Sequence, residues 1–187
     1  MRKFTKIFAG VLCLMMALTL VGCGSKGGSK SKGNCGLFEC MEKISTDGTI
    51  EDINKVIGFT GELKEKSDES STYKWELYRW DLNEEEAVEV KYYTETKLMY
   101  VEAIYSRDSL KNKKVDFSSV KEDMKKINSK DGLKYDDVKK IVGGVDGNLV
   151  KKDNSTLTYQ WYNSNGGSFT ARFSTTSCKC TSYNGVF

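Results

Sequence analysis

Six cysteines and no histidine set the chemistry open to this 187-residue chain. Without histidine the commonest general base and metal ligand is missing, so Ser-His-Asp and Cys-His catalysis within the chain is excluded. Cys13 lies in an apolar amino-terminal run and Cys23 just after it. Cys35, Cys40, Cys178 and Cys180 remain as an even set. In an exported chain such a set favours disulfides, and four cysteines allow three pairings. Cross-links from Cys35 and Cys40 to the last strand would close nearly the whole chain, each adding roughly 2–4 kcal/mol. A Cys35–Cys40 bond is the alternative, and a bond between Cys178 and Cys180, two apart on one strand face, would be strained. A tetrahedral thiolate metal site or a thiol redox pair fits only loosely, because one pair is separated by a single residue and the other by four. No metal and no cofactor is expected. Carboxylate runs such as Glu84-Glu85-Glu86 and Asp136-Asp137 read as solvated turns or faces. No phosphate-binding glycine loop, EF-hand spacing or nucleophile elbow occurs, and no enzymatic activity is expected.

The amino terminus carries Arg2, Lys3 and Lys6, then an apolar run from Ile7 to Val21, and closes on Leu20-Val21-Gly22-Cys23. The run is short for a spanning helix and ends in small residues, the pattern of an export signal. The closing residues resemble the lipobox of bacterial lipoprotein signals. That resemblance implies cleavage before Cys23, removal of residues 1–22, and lipid, including palmitate, on the Cys23 thiol. Several acyl chains give stable anchoring, at about 0.8 kcal/mol per buried methylene. Residues 23–34 then form a lipidated tether of Gly, Ser, Lys and Asn beyond the cysteine, a composition that buries no core.

Cleavage changes the charge. The full chain is +3, but loss of Arg2, Lys3 and Lys6 leaves 26 basic against 26 acidic groups. With tether lysines 26, 30 and 32 set aside, the part from Cys35 onward is 23 against 26. The basic balance thus resides in signal and tether and gives no argument for nucleic acid as a partner. The tether lysines would add up to about 1 kcal/mol each of attraction to anionic headgroups. The lysine- and asparagine-rich, proline-free composition favours a Gram-positive cell surface over an outer membrane.

The elements that must carry any site repeat along the chain. Tyr78-Arg79-Trp80 recurs as Tyr159-Gln160-Trp161, and Val88, Val90 and Tyr92 fall on Phe169, Ala171 and Phe173 at the same offset of 81. Glu51-Asp52-Ile53 and Val56-Ile57-Gly58 match Asp136-Asp137-Val138 and Ile141-Val142-Gly143, and Met41 and Ile44 match Met124 and Ile127. The reading is two tandem repeats, residues 35–110 and 111–187. In each, helical periodicity gives two short helices: Leu37, Cys40, Met41 and Ile44 on the first, Ile50, Ile53, Val56 and Ile57 on the second behind a Thr49–Asp52 cap. In the second repeat Ser119 caps a helix bearing Val120, Met124 and Ile127, and a further helix starts near Tyr135. Alternating segments then predict three or four antiparallel strands. The expected class is α+β, two tandem units of two short helices packed on an antiparallel sheet.

This order resembles the beta-lactamase inhibitory protein group and, as a single unit, the SmpA/OmlA-like lipoproteins. In the second repeat the matching residues are Tyr135-Asp136-Asp137-Val138 through Gly143, Tyr159-Gln160-Trp161, Asn163, Gly167 and Phe173. The resemblance implies protein binding by an open sheet face. It assigns no inhibitory residue here, because inhibition in that group depends on loop residues that do not map onto this chain. Glu84-Glu85-Glu86 also replaces the Asn-Gly-Gly turn in the first repeat, so any partner surface is expected to be specific to this protein.

One strand supplies a surface of its own. Tyr73, Trp75 and Leu77 share one parity, and Tyr78 with Trp80 falls on the other. The repeat assigns Tyr78, Trp80, Tyr159 and Trp161 to the core, which leaves Tyr73 and Trp75 on the open face with Lys91 and Tyr93. Exposed Trp and Tyr anchor interfaces. The sequence therefore reads as a membrane-anchored, extracytoplasmic lipoprotein that binds another extracytoplasmic protein through its sheet. The alternatives are an inhibitor of a secreted or cell-wall enzyme and an envelope-assembly scaffold.

Overall fold

The computed structural model describes residues 32–106, 110, 115, 117, 132–163 and 165–186. The export signal, Cys23 and the expected helix bearing Val120, Met124 and Ile127 lie outside these residues. The chain runs α1 (Leu37–Lys43), α2 (Ile50–Ile57), β1 (Glu62–Lys66), β2 (Trp75–Asp81), β3 (Glu86–Tyr93), β4 (Met99–Tyr105), α3 (Tyr135–Ile141), β5 (Asn148–Lys152), β6 (Thr156–Tyr162), β7 (Ser168–Ser174) and β8 (Cys180–Val186). All eight strands form one antiparallel sheet in sequence order.

Local chemistry accounts for the elements. Thr49 Oγ1 accepts from the Asp52 amide at 3.2 Å, and Asp52 Oδ2 accepts from the Thr49 amide at 3.1 Å, a reciprocal cap that starts α2. Gly58 ends that helix in the left-handed region, φ 97°. Asp137 Oδ2 accepts from the Lys134 amide at 3.1 Å at the start of α3, a one-sided cap, since a lysine side chain accepts nothing in return. Along β4 and β7 alternate residues are buried, whereas β1 is exposed throughout. Trp80, Val88, Val90, Val101 and Ala103 face α1 and α2, while Trp161, Phe169, Ala171 and Phe173 face α3.

This corrects the expected class. The chain does not form two tandem helix-on-sheet units. It is a sheet-dominated fold with three short helices among the described residues. The cause is edge pairing. Val101 and Glu102 of β4 pair with Lys152 and Lys151 of β5, so the two four-stranded halves join into one sheet. The apolar layers join as well, because Tyr159 packs against both core clusters and Leu149 of β5 belongs to the first. An exposed strand edge invites such pairing, which satisfies its backbone groups. The seam is narrow. It has two residue pairs, whereas β2–β3 and β3–β4 have seven each. Beyond those two pairs Tyr105 fills the gap. Its ring meets Phe38 of α1 edge-on at 5.5 Å, and its hydroxyl donates to Gln160 Oε1 at 2.6 Å.

Of the cysteine pairings left open by the sequence, the structure holds the local one. Cys35 and Cys40 form a disulfide, Cα–Cα 5.5 Å, while Cys178 and Cys180 keep their thiols, so no bond ties the N-terminal segment to the last strand. Cys35 stands one residue before α1, next to its N-cap Gly36, and the first helical turn brings Cys40 back beside it. The loop closed is short, so the gain is about 2 kcal/mol. Cys40→Ser should lower the melting temperature by about 4–8 °C, read by circular dichroism, and reductant should lower that of the wild type equally.

Candidate functional site

The helices cover one face of the sheet, and the opposite parity of every strand forms the other. Across that face runs a rank of directly opposed residues, Glu62, Arg79, Glu89, Glu102, Lys151, Thr158, Arg172 and Ser182, one from each strand. Glu89 and Glu102 are like charges side by side, which is unfavourable alone. Each turns to an outer cation. Arg79 Nη1 meets Glu89 at 2.8 Å and Lys151 Nζ meets Glu102 at 2.6 Å. Arg79 Nε also meets Asp81 at 2.6 Å. These pairs are partly exposed and contribute about 0.2–1 kcal/mol each, so they order the surface more than they stabilise it.

Two further ranks lie toward the β3–β4 turn. Leu77, Lys91 and Tyr100 form one, Trp75 and Tyr93 the next. The Lys91 ammonium stands 3.8 Å from the Trp75 ring centre and 5.8 Å from that of Tyr93. Tyr93 and Tyr100 meet edge-on at 5.8 Å. Of the four residues singled out from the sequence, Trp75, Lys91 and Tyr93 thus come together. Tyr73 lies in the loop before β2, 65 % exposed, with no ring contact among the described residues. Tyr100 joins the cluster at 49 % exposure.

A depression of about 320 Å³ sits between this corner and the rank, over the β4–β5 seam. Leu77, Lys91, Tyr100, Glu102, Lys151 and Thr158 line it, and Asp153, Thr156 and Arg172 close its far side. Burial works to raise the Asp153 carboxyl, but hydrogen bonds from Ser155 and Thr156 outweigh it and hold it below its ordinary value. Lys152 belongs to the helix side. Its ammonium donates to the Ile44 carbonyl at the C-terminus of α1. Burial there lowers it to about 8, against a smaller opposing pull from Glu42.

Sequence reasoning missed the ionic rank. Its signal was present in the parity of Arg79, Glu89 and Glu102, opposite to that of Trp80, Val88 and Val101. The cross-sheet line needs the β4–β5 register, which no local pattern contains. Among the described residues no three metal-ligating side chains converge. The arrangement is thus a mixed-charge surface with an aromatic corner, suited to recognition. No family model, no curated protein and no solved structure matches the chain.

Proposed function

We propose that this chain is a membrane-anchored extracytoplasmic lipoprotein whose open sheet face binds another protein without catalysing a reaction. The observation that carries this reading is a sheet face that no helix among the described residues covers, with its aromatic corner and ordered charges. Eight strands at a spacing of about 4.8 Å and seven residues of about 3.4 Å give roughly 34 by 24 Å, on the order of 800 Å². That is the share one partner contributes to a standard interface. Trp, Tyr and cations are the residues that anchor such contacts. The likeness of Tyr159-Gln160-Trp161 and its surroundings to the beta-lactamase inhibitory protein group points the same way.

The entry of the chain fits a tether. The Lys32 amide donates to the Leu82 carbonyl at 2.9 Å and the Asn34 amide to the Ile57 carbonyl at 2.7 Å. The first described residues therefore lie by the β2–β3 turn, at the strand ends opposite Trp75 and Tyr93. The nine residues from Cys23 to Ser31 have the composition of a Gly/Ser-rich coil, for which a span of about 17 Å is expected. Lipid on Cys23 would hold the β2–β3 turn near the bilayer and turn the aromatic corner outward.

Chemical cross-linking in intact cells tests both parts. We expect one extracytoplasmic protein captured by the wild type and lost with Thr158→Trp, which fills the centre of the face. Cys23→Ala should release the chain from the membrane and abolish palmitate labelling. Capture unaffected by Thr158→Trp would overturn the face as the binding surface. Inhibition of the captured protein would mark an inhibitor, and copurification with envelope proteins without inhibition a scaffold.

A further inference from the structure

Four cations stand in the middle of the open face, and they are not equally engaged. Arg79 is held by two carboxylates and Lys151 by Glu102. Lys91 has no carboxylate within ion-pair distance among the described residues, and only aromatic rings support its ammonium. Arg172 has one carboxylate nearby, Asp153, at 3.6 Å, and its side chain is 50 % exposed. That carboxylate is already engaged, its Oδ1 fully. Asp153 Oδ1 accepts from the Ser155 amide, the Ser155 hydroxyl and the Thr156 amide at 2.7, 2.7 and 2.9 Å. Oδ2 accepts from the Thr156 hydroxyl at 2.7 Å. Among the described residues the Arg172 side chain otherwise donates to Thr156 Oγ1, at 3.1 Å.

The two under-engaged cations flank the depression, Lys91 on β3 and Arg172 on β7. Four strand spacings and one rank separate them, about 20 Å. An extended chain covers that distance in about six residues. Between them lies the Glu102–Lys151 pair, whose acidic partner disfavours a further carboxylate at the centre. Tyr100 and Leu77 beside Lys91 offer an apolar seat.

We propose that the open face receives an extended acidic segment of the partner protein, laid across the strands. One carboxylate of that segment sits on Lys91 and a second, about six residues away, on Arg172. Uncharged residues lie between them, and an apolar side chain rests on Tyr100. This inference rests on the use of the open face proposed above and names the chemistry it recognises. Charge-assisted bonds of this kind are stronger than neutral ones and add specificity.

The test is selection of a displayed library of random twelve-residue peptides on the mature lipidated protein in detergent. We expect selected peptides to carry two Asp or Glu five to seven positions apart with uncharged residues between. Their binding should fall at least tenfold with Lys91→Glu and with Arg172→Glu, and persist with Lys91→Arg. Peptides with lysine at the first anchor should gain on Lys91→Glu. Circular dichroism checks that each variant is folded. A selection without that acidic spacing, or binders lost with Thr158→Trp yet indifferent to both charge reversals, would overturn the acidic segment and leave the face standing. Binders indifferent to all three substitutions would overturn both.

Discussion

Trp80→Ala should cost about 3–5 kcal/mol of stability, and Trp75→Ala less than about 1. The two residues are five apart on one strand and differ in what they touch. Trp80 is fully buried, and its indole N–H donates to Asn54 Oδ1 at 2.9 Å. The same oxygen accepts from the Gly61 amide at 3.0 Å, so the indole joins α2, β1 and β2 at one point. Removing it leaves a cavity and withdraws a partner from a half-buried amide side chain. Trp75 lies under the Lys91 ammonium on the other face and supports no core. Urea unfolding of both variants checks the difference. A loss for Trp75→Ala equal to that for Trp80→Ala would mean that the faces of β2 are assigned the wrong way round.

Gly61→Ala should be nearly as damaging, at about 3 kcal/mol, although it adds a single methyl group. A Cβ there would stand 2.3 Å from Trp80 Cε2 and 2.6 Å from Cζ2. The ring cannot retreat, because Trp80 is closed in by the core. Overpacking of this kind typically costs 1–3 kcal/mol and sometimes more. Gly147 meets Trp161 likewise, with Cζ2 at 2.6 Å, so Gly147→Ala should follow it. Gly36, with nothing within 4 Å of an added Cβ, is the control, and its alanine variant should lose no more than about 1 kcal/mol as a changed helix cap. Denaturant midpoints of the three variants give the comparison.

What was legible beforehand follows the range of the interactions. The Thr49–Asp52 cap, the Gly58 stop and the Tyr-x-Trp parity act within a few residues, and each stands where the pattern placed it. The architecture turned on Val101 meeting Lys152, a contact between strands far apart in the chain. Nothing local distinguishes a strand edge that stays open from one that finds another edge. The ionic rank inherits the same limit, since half of it lies beyond the seam. Lys152 escaped notice for another reason. The irregular register at Val150 returns it to the helix side, where simple alternation through β5 would not place it. The cysteine pairing was open among three choices until α1 was known to begin just after Cys35 and Gly36.

The narrow seam has a mechanical consequence. In the proposed arrangement a lipid tether would pull beside the β2–β3 turn, in the half of the sheet that holds β1 to β4. A partner gripping Arg172 would pull on β7. The line of force between them crosses β4–β5, where two residue pairs and the Lys151–Glu102 pair do the work that seven residue pairs do at β2–β3 and β3–β4. Under such tension that line would part first, while each half keeps its own hydrogen bonds. The joint that turns two small sheets into one would thus also be a fuse, through which a load on the anchor loosens the grip before it unravels the fold.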